Sequence, residues 1–396
     1  MRTHLVLVPG FGGFDALGQL HYYNGVTALR GKLPLALHYF DNLPTAAVDT
    51  RAKRLRRYLA KLVDRNIVES GDRVVLVGHS TGGLDIRRVV RDLDADNDSI
   101  LDRLRLAFLS VPHRGTNIAD WVRAHWRSRQ VLISSFRQAV GVGLGVPHSL
   151  LAAFGWVAPG HSQLFDAVED VRCDFEPLPP DDQLAQADAR HARAEVNLWL
   201  DDTDHDFLAI DDLASEIRGD QNRLVESLDK DVEIWTRRKI EVRSYATMAP
   251  PTLPTDELDR DRSQRSLPAI LQAMHADVGN TDAVFRTAFA ACAGGPFRAS
   301  AQPSLTWLGG KPHGSPLEDW QNDGIVNTAS MLLPVGKTFL VSGDHADIIG
   351  HFTQVKNEGR IPGSRTYSAY DLLGSNAGFT PETFAVVWND LFEFAI

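Results

Sequence analysis

The chain has 396 residues and a formal net charge of −10, with 43% hydrophobic and 23% charged residues. That balance is ordinary for a soluble globular protein. Its acidity argues against the basic face that nucleic acid needs and against a polybasic membrane patch. Only Cys173 and Cys292 are present. They are too few for a disulfide framework and read as two reduced, buried thiols. Met1-Arg2-Thr3-His4 leads straight into an apolar strand, with no secretory signal. A cytoplasmic chain is expected, or a secreted one if a leader was removed.

Fully apolar strands alternate with helical patterns from the start. The predicted strands are Leu5-Val6-Leu7-Val8, residues 35–40, Val74-Val75-Leu76-Val77, residues 104–109, and, much later, 240–246 and 338–341. Residues 48–63 have helical spacing, with Val48, Ala52, Leu55, Leu59 and Leu62 on one face and Asp49 or Thr50 as the expected cap. A second helix is expected over 84–90. Such alternation predicts a mostly parallel sheet with helices on both faces. It stops after Pro112. The division is therefore a core over 1–113, a helical cap or lid over 114–235, and a second core part over 236–396. A further insertion lies near 249–321, with helices over 267–275 and 283–293. The most apolar stretch, 131–157, is too interrupted by polar residues, Gly and Pro for a transmembrane segment. The acidic run 201–206 reads as a cation site or, more simply, a solvated face.

Gly78-His79-Ser80-Thr81-Gly82 stands between a strand and a helix. A serine on so sharp a turn is exposed above the sheet at a helix N-terminus, and only glycine fits two residues to either side. Ser80 is thus the expected nucleophile, against an incidental serine in a glycine-rich turn. Pro9-Gly10-Phe11-Gly12-Gly13 follows the first strand. With the N–H of Thr81, that of Phe11 is the expected oxyanion donor, Gly10 allowing close approach. A serine needs a base, and the base a carboxylate, in the chain order Ser, Asp, His. Asp323, in Asn322-Asp323-Gly324-Ile325-Val326, is the expected acid, ahead of Asp319 and Asp344. His345, in Asp344-His345-Ala346-Asp347, is the expected base, ahead of His351 and His313. His79 and His113 are expected to be structural.

In that order, these segments resemble the bacterial true lipases of the Pseudomonas/Burkholderia and staphylococcal types. Tyr22-Tyr23-Asn24-Gly25-Val26 resembles their aromatic-Gly segment, and Ser110-Val111-Pro112-His113-Arg114-Gly115 their turn after the fourth strand. The resemblance implies the α/β-hydrolase fold, a helical lid, lipid or other acyl-ester substrates, and contact with a lipid–water interface. It implies that Arg51 braces the oxyanion loop. It also implies a structural calcium ion with Asp347 as one ligand, although no second aspartate stands near Pro303. The chemistry itself requires no cofactor. Esterase, thioesterase, lactonase and polyester depolymerase activities use the same constellation. A non-catalytic binding protein on this fold is the reading from another class.

Overall fold

The computed structural model describes residues 2–13, 16–17, 20–124, 209–214, 223–251, 281–293, 305–309, 317–352 and 373–396. The expectations for 131–157, 201–206, 267–275, Cys173, Pro303 and His313 fall outside them. Seven strands form one sheet: β1 (Thr3–Val8), β2 (Leu35–Tyr39), β3 (Arg73–His79), β4 (Leu104–Leu109), β5 (Glu241–Met248), β6 (Thr306–Trp307) and β7 (Lys337–Ser342). The order is β2-β1-β3-β4-β5-β7-β6, and every neighbouring pair is parallel.

Both faces of the sheet are covered, so its central strands need apolar residues at every position. Val6, Val8, Val74, Leu76, Leu106 and Phe108 enter one core layer. Their neighbours Leu5, Leu7, Val75, Val77, Ala107 and Leu109 enter the other. This is the two-residue period of a strand expressed on two buried faces. The first layer is closed by α2 (Val48–Asp64), α3 (Thr81–Ala95) and, through Leu228 and Trp235, α5 (Arg223–Arg238). The second is closed by α1 (Val26–Arg30) and α7 (Pro381–Ala395). Thr380 caps α7 through the N–H of Thr383, and Pro381 fills its first turn, where a missing N–H costs nothing. No helix among the described residues is long and apolar enough to cross a membrane.

Three details differ from the sequence reading. Helix α2 starts at Val48 without a local side-chain cap; Asp212, in α4 (Ala209–Leu213), accepts its first N–H at 2.8 Å. A distant carboxylate does the work that Asp49 or Thr50 was expected to do. Helix α5 falls within the segment assigned to the cap, yet Trp235 is 1% exposed in the main core. Strand β6 lies inside the second insertion; two residues carry no alternation to read. In that insertion α6 (Thr281–Ala293) packs Phe285 and Phe289 with Trp320 and Ala249.

Helices α3 and α5 share a buried ion pair. Arg87 Nε meets Asp231 Oδ2 at 2.6 Å, and neither side chain is more than 1% exposed. Arg87 also donates to the His113 carbonyl at 2.8 Å. A buried charge that loses its partner costs far more than the pair is worth. Asp231→Leu should lower unfolding stability in urea by about 3–5 kcal/mol, and the double variant Arg87→Leu/Asp231→Leu should recover most of it.

Candidate active site

Strand β3 ends at His79 and α3 begins at Thr81, leaving Ser80 alone in the turn with φ 53° and ψ −131°. This strained conformation for a non-glycine residue costs on the order of 1–3 kcal/mol. The surroundings impose it. Ser80 N–H donates to the Leu109 carbonyl at 3.0 Å, and the Ser80 carbonyl accepts from Gly83 N–H at 3.0 Å. A Cβ at Gly82 would lie 2.4 Å from the Val8 carbonyl oxygen, and one at Gly78 would lie 2.7 Å from Gly83. Thr81, as the first residue of α3, carries one of the N–H groups that have no acceptor within the helix.

The loop after β1 lies directly against this turn: a Cβ at Gly10 would sit 2.5 Å from that of Ser80. The N–H groups of Gly10, Gly12 and Gly13 donate to Tyr22 Oη, the Pro44 carbonyl and the Gly10 carbonyl. Arg51, fully buried on α2, holds the loop from behind. Its Nη2 donates to the Pro9 and Gly10 carbonyls at 2.8 and 3.1 Å, and its Nε donates to Asp85 at 3.0 Å. Burial pushes the Asp85 carboxyl up to about 7, with Arg51 and then Asn42 opposing.

Asp323 and His345 meet beyond the ends of β5 and β7. His345 Nδ1 lies 2.7 Å from Asp323 Oδ2, and His345 N–H donates to the Asp323 carbonyl at 3.0 Å. The other Asp323 oxygen accepts from Ile325 and Val326 N–H at 3.0 and 2.7 Å. Helix α6 roofs this turn: Asn322 Nδ2 donates to the Phe289 carbonyl, and Gly324, at φ 93°, sits where a Cβ would strike Phe285. The competing residues are committed elsewhere. Asp344 accepts from Ala346 and Asp347 N–H within its own turn. His351 donates through Nε2 to the Tyr22 carbonyl at 3.0 Å. His345 adjoins the serine turn through His79, whose ring is 4.5 Å away and whose Nε2–H donates to the His345 carbonyl at 2.9 Å. No hydrogen bond joins the Ser80 hydroxyl to His345; such bonds often tighten only around a substrate.

No protein-family model matches the chain. It is 27% identical over 173 residues to a triacylglycerol lipase of Vibrio cholerae, a match covering 43% of this chain and 49% of that protein. The chain thus spans about half the length of this relative. Among solved structures, it is similar to the Staphylococcus hyicus lipase, at 14% identity and TM-score 0.44, covering 100% of this chain and 95% of that one. It is also similar to the mature Bacillus licheniformis lipase, at 14% identity and TM-score 0.42, covering 88% and 86%. The parallel sheet with a strained serine between β3 and α3 decides the architecture. The fold is that of the α/β-hydrolases.

In this fold, polar residues that the sequence reading named without contacts tie the loops together. Tyr22 Oη accepts from Gly10 N–H at 2.8 Å and contacts His79 Nδ1 at 2.6 Å. Because His79 Nε2 faces a carbonyl, its proton sits there and Nδ1 accepts from Tyr22. Burial, then His345, holds the His79 pKa well below the ordinary value and keeps the ring neutral. Tyr23 Oη donates to the Val8 carbonyl at 2.7 Å. The aromatic pair was legible in the sequence as a segment, but its two hydroxyl contacts were not. Asp347 accepts the Asp344 N–H at 2.8 Å. Among the described residues no three His, Cys, Asp or Glu side chains gather as a metal site. Pro303, where the resemblance puts the second calcium ligand, is outside them.

His113 is fully buried against Phe108, and neither ring nitrogen has a hydrogen-bond partner. Burial first, then Arg87 and Arg114, pushes its pKa well below the ordinary value. The unfolded chain therefore binds a proton that the folded chain refuses. The stability this group lends is complete above about pH 6.5 and is lost as pH falls below it, at up to about 1.4 kcal/mol per unit. Melting temperatures between about pH 5 and 7 should fall more steeply with acid in the natural protein than in His113→Leu.

Proposed function

We propose that the chain is a serine carboxylic-ester hydrolase, lipase-like, working through an acyl-enzyme. One observation supports the reading: the turn that holds Ser80 at φ 53° adjoins, through His79, the 2.7 Å His345–Asp323 pair. His345 takes the Ser80 proton, and Ser80 attacks the ester carbonyl. The N–H groups of Thr81 and Phe11 hold the oxyanion, each worth on the order of 10²–10³ in rate. Asp323 fixes the imidazole tautomer and balances its positive charge. His345 then protonates the leaving alcohol, and with the same base a water releases the acid. Arg51 keeps the loop carrying Phe11 in place. Gly10, Gly78 and Gly82 let the three backbones approach. No step passes through a metal ion; calcium at Asp347 would be structural.

The substrates proposed are acylglycerols or related lipid esters. The sequence similarity to a protein named triacylglycerol lipase supports this class. Contact with a lipid–water interface is proposed along with that substrate class.

The test is a panel of triglyceride emulsions, phospholipid, nitrophenyl esters, lactones and acyl thioesters. Ser80→Ala should lower kcat at least about 10⁴-fold on every ester that turns over, and Asp323→Asn about 10³–10⁴-fold. Rate on triglyceride should jump above its solubility limit. Substantial turnover by pure Ser80→Ala would remove the nucleophile assignment. A smooth rate curve confined to short soluble esters would replace lipase with esterase.

A further inference from the structure

Thr247 and Ser110 have no part in the mechanism above, yet they are joined to its acid. Ser110 follows β4 directly and Thr247 lies in β5, the adjacent strand. Both are fully buried. Ser110 Oγ is 2.7 Å from Thr247 Oγ1, which is 2.6 Å from Asp323 Oδ2. A carboxylate can only accept. The single Thr247 proton therefore goes to Asp323, and Ser110 must donate to Thr247. Ser110 is held for this at φ 51°, strained for a non-glycine residue, with its N–H on the Tyr245 carbonyl at 2.9 Å. The oxygen that Thr247 reaches is the one that faces His345 Nδ1 at 2.7 Å.

We propose that Thr247, oriented by Ser110, is a positioning residue that fixes the Asp323 carboxylate at the angle from which its Oδ2 meets His345 Nδ1. The proposal rests on the reading of Ser80, His345 and Asp323 as a catalytic triad. Two backbone N–H groups, of Ile325 and Val326, hold Asp323 Oδ1, and Thr247 holds the Oδ2 that faces His345. Without the Thr247 hydroxyl, Oδ2 is left with His345 alone, and the carboxylate is free to turn away from the plane in which it orients the imidazole.

The experiment is kcat and KM for a nitrophenyl ester, with functional sites counted by a fluorophosphonate. It uses the full chain, Thr247→Val, Thr247→Ser, Ser110→Ala and Ser80→Ala. In Thr247→Val kcat per functional site should fall about 10-fold, with KM within about twofold. Thr247→Ser should restore it. Ser110→Ala should lower kcat per functional site in the same way by less, and it carries the test alone if Thr247→Val does not fold. A merely structural Thr247 would change the number of functional sites and leave kcat per site where it is. Equal kcat per functional site in the variants and the natural protein overturns the proposal while Ser80→Ala is inactive. If Ser80→Ala is active, the triad reading itself fails.

Discussion

Everything at this site depends on one steric constraint: three backbone segments meet with no room for a side chain between them. The end of β1, the turn at Ser80 and the first turn of α3 touch through Gly10 and Gly82, where an added Cβ would come within 2.4–2.5 Å of its nearest neighbour. That contact accompanies the positive φ of Ser80. It also brings Gly10, the neighbour of Phe11, against Ser80. The strain, about 1–3 kcal/mol, is carried by the sheet below, whose central strands are buried on both faces. A weaker core could not hold it.

Close approach alone does not fix the loops, and buried polar contacts do the rest. Arg51 reaches from α2 to the Pro9 and Gly10 carbonyls and balances its charge on Asp85. Tyr22 links Gly10 to His79, and His79 links on to the His345 backbone. Asp323 has four donors within 3.0 Å: two backbone N–H groups, Thr247 and His345. Buried polar groups are costly unless each finds a partner, so such a network has one low-energy arrangement. Rigidity of this kind suits the proposed oxyanion site, because donors already aimed spend nothing on reorganisation during reaction.

The core was legible in the sequence because its rules are local. Apolar runs such as Val74-Val75-Leu76-Val77 can only be strands buried on both faces, and Gly78-His79-Ser80-Thr81-Gly82 is a turn whose glycines have a steric reason. Chain order and the turns around them singled out Asp323 and His345, which lie 2.7 Å apart. What stayed hidden depends on tertiary contact. Thr247 and Ser110 look like any strand residues until β4 and β5 lie side by side. Asp212 caps a helix 164 positions away in sequence. Trp235 reads as part of an insertion because nothing local marks the return to the core. His79 was legible as structural, though not as the link between Tyr22 and His345.

In the proposed mechanism the N–H groups of Thr81 and Phe11 are poised around a Ser80 whose base is His345. A crystal structure of the chain inactivated by an alkyl phosphonate tests it most directly, since the tetrahedral phosphorus mimics the first intermediate. The account predicts a covalent bond to Ser80 Oγ, the phosphonyl oxygen within about 3 Å of both N–H groups, and His345 Nε2 turned toward Ser80 Oγ. An adduct on another residue, or a phosphonyl oxygen facing away from Thr81 and Phe11, would contradict it.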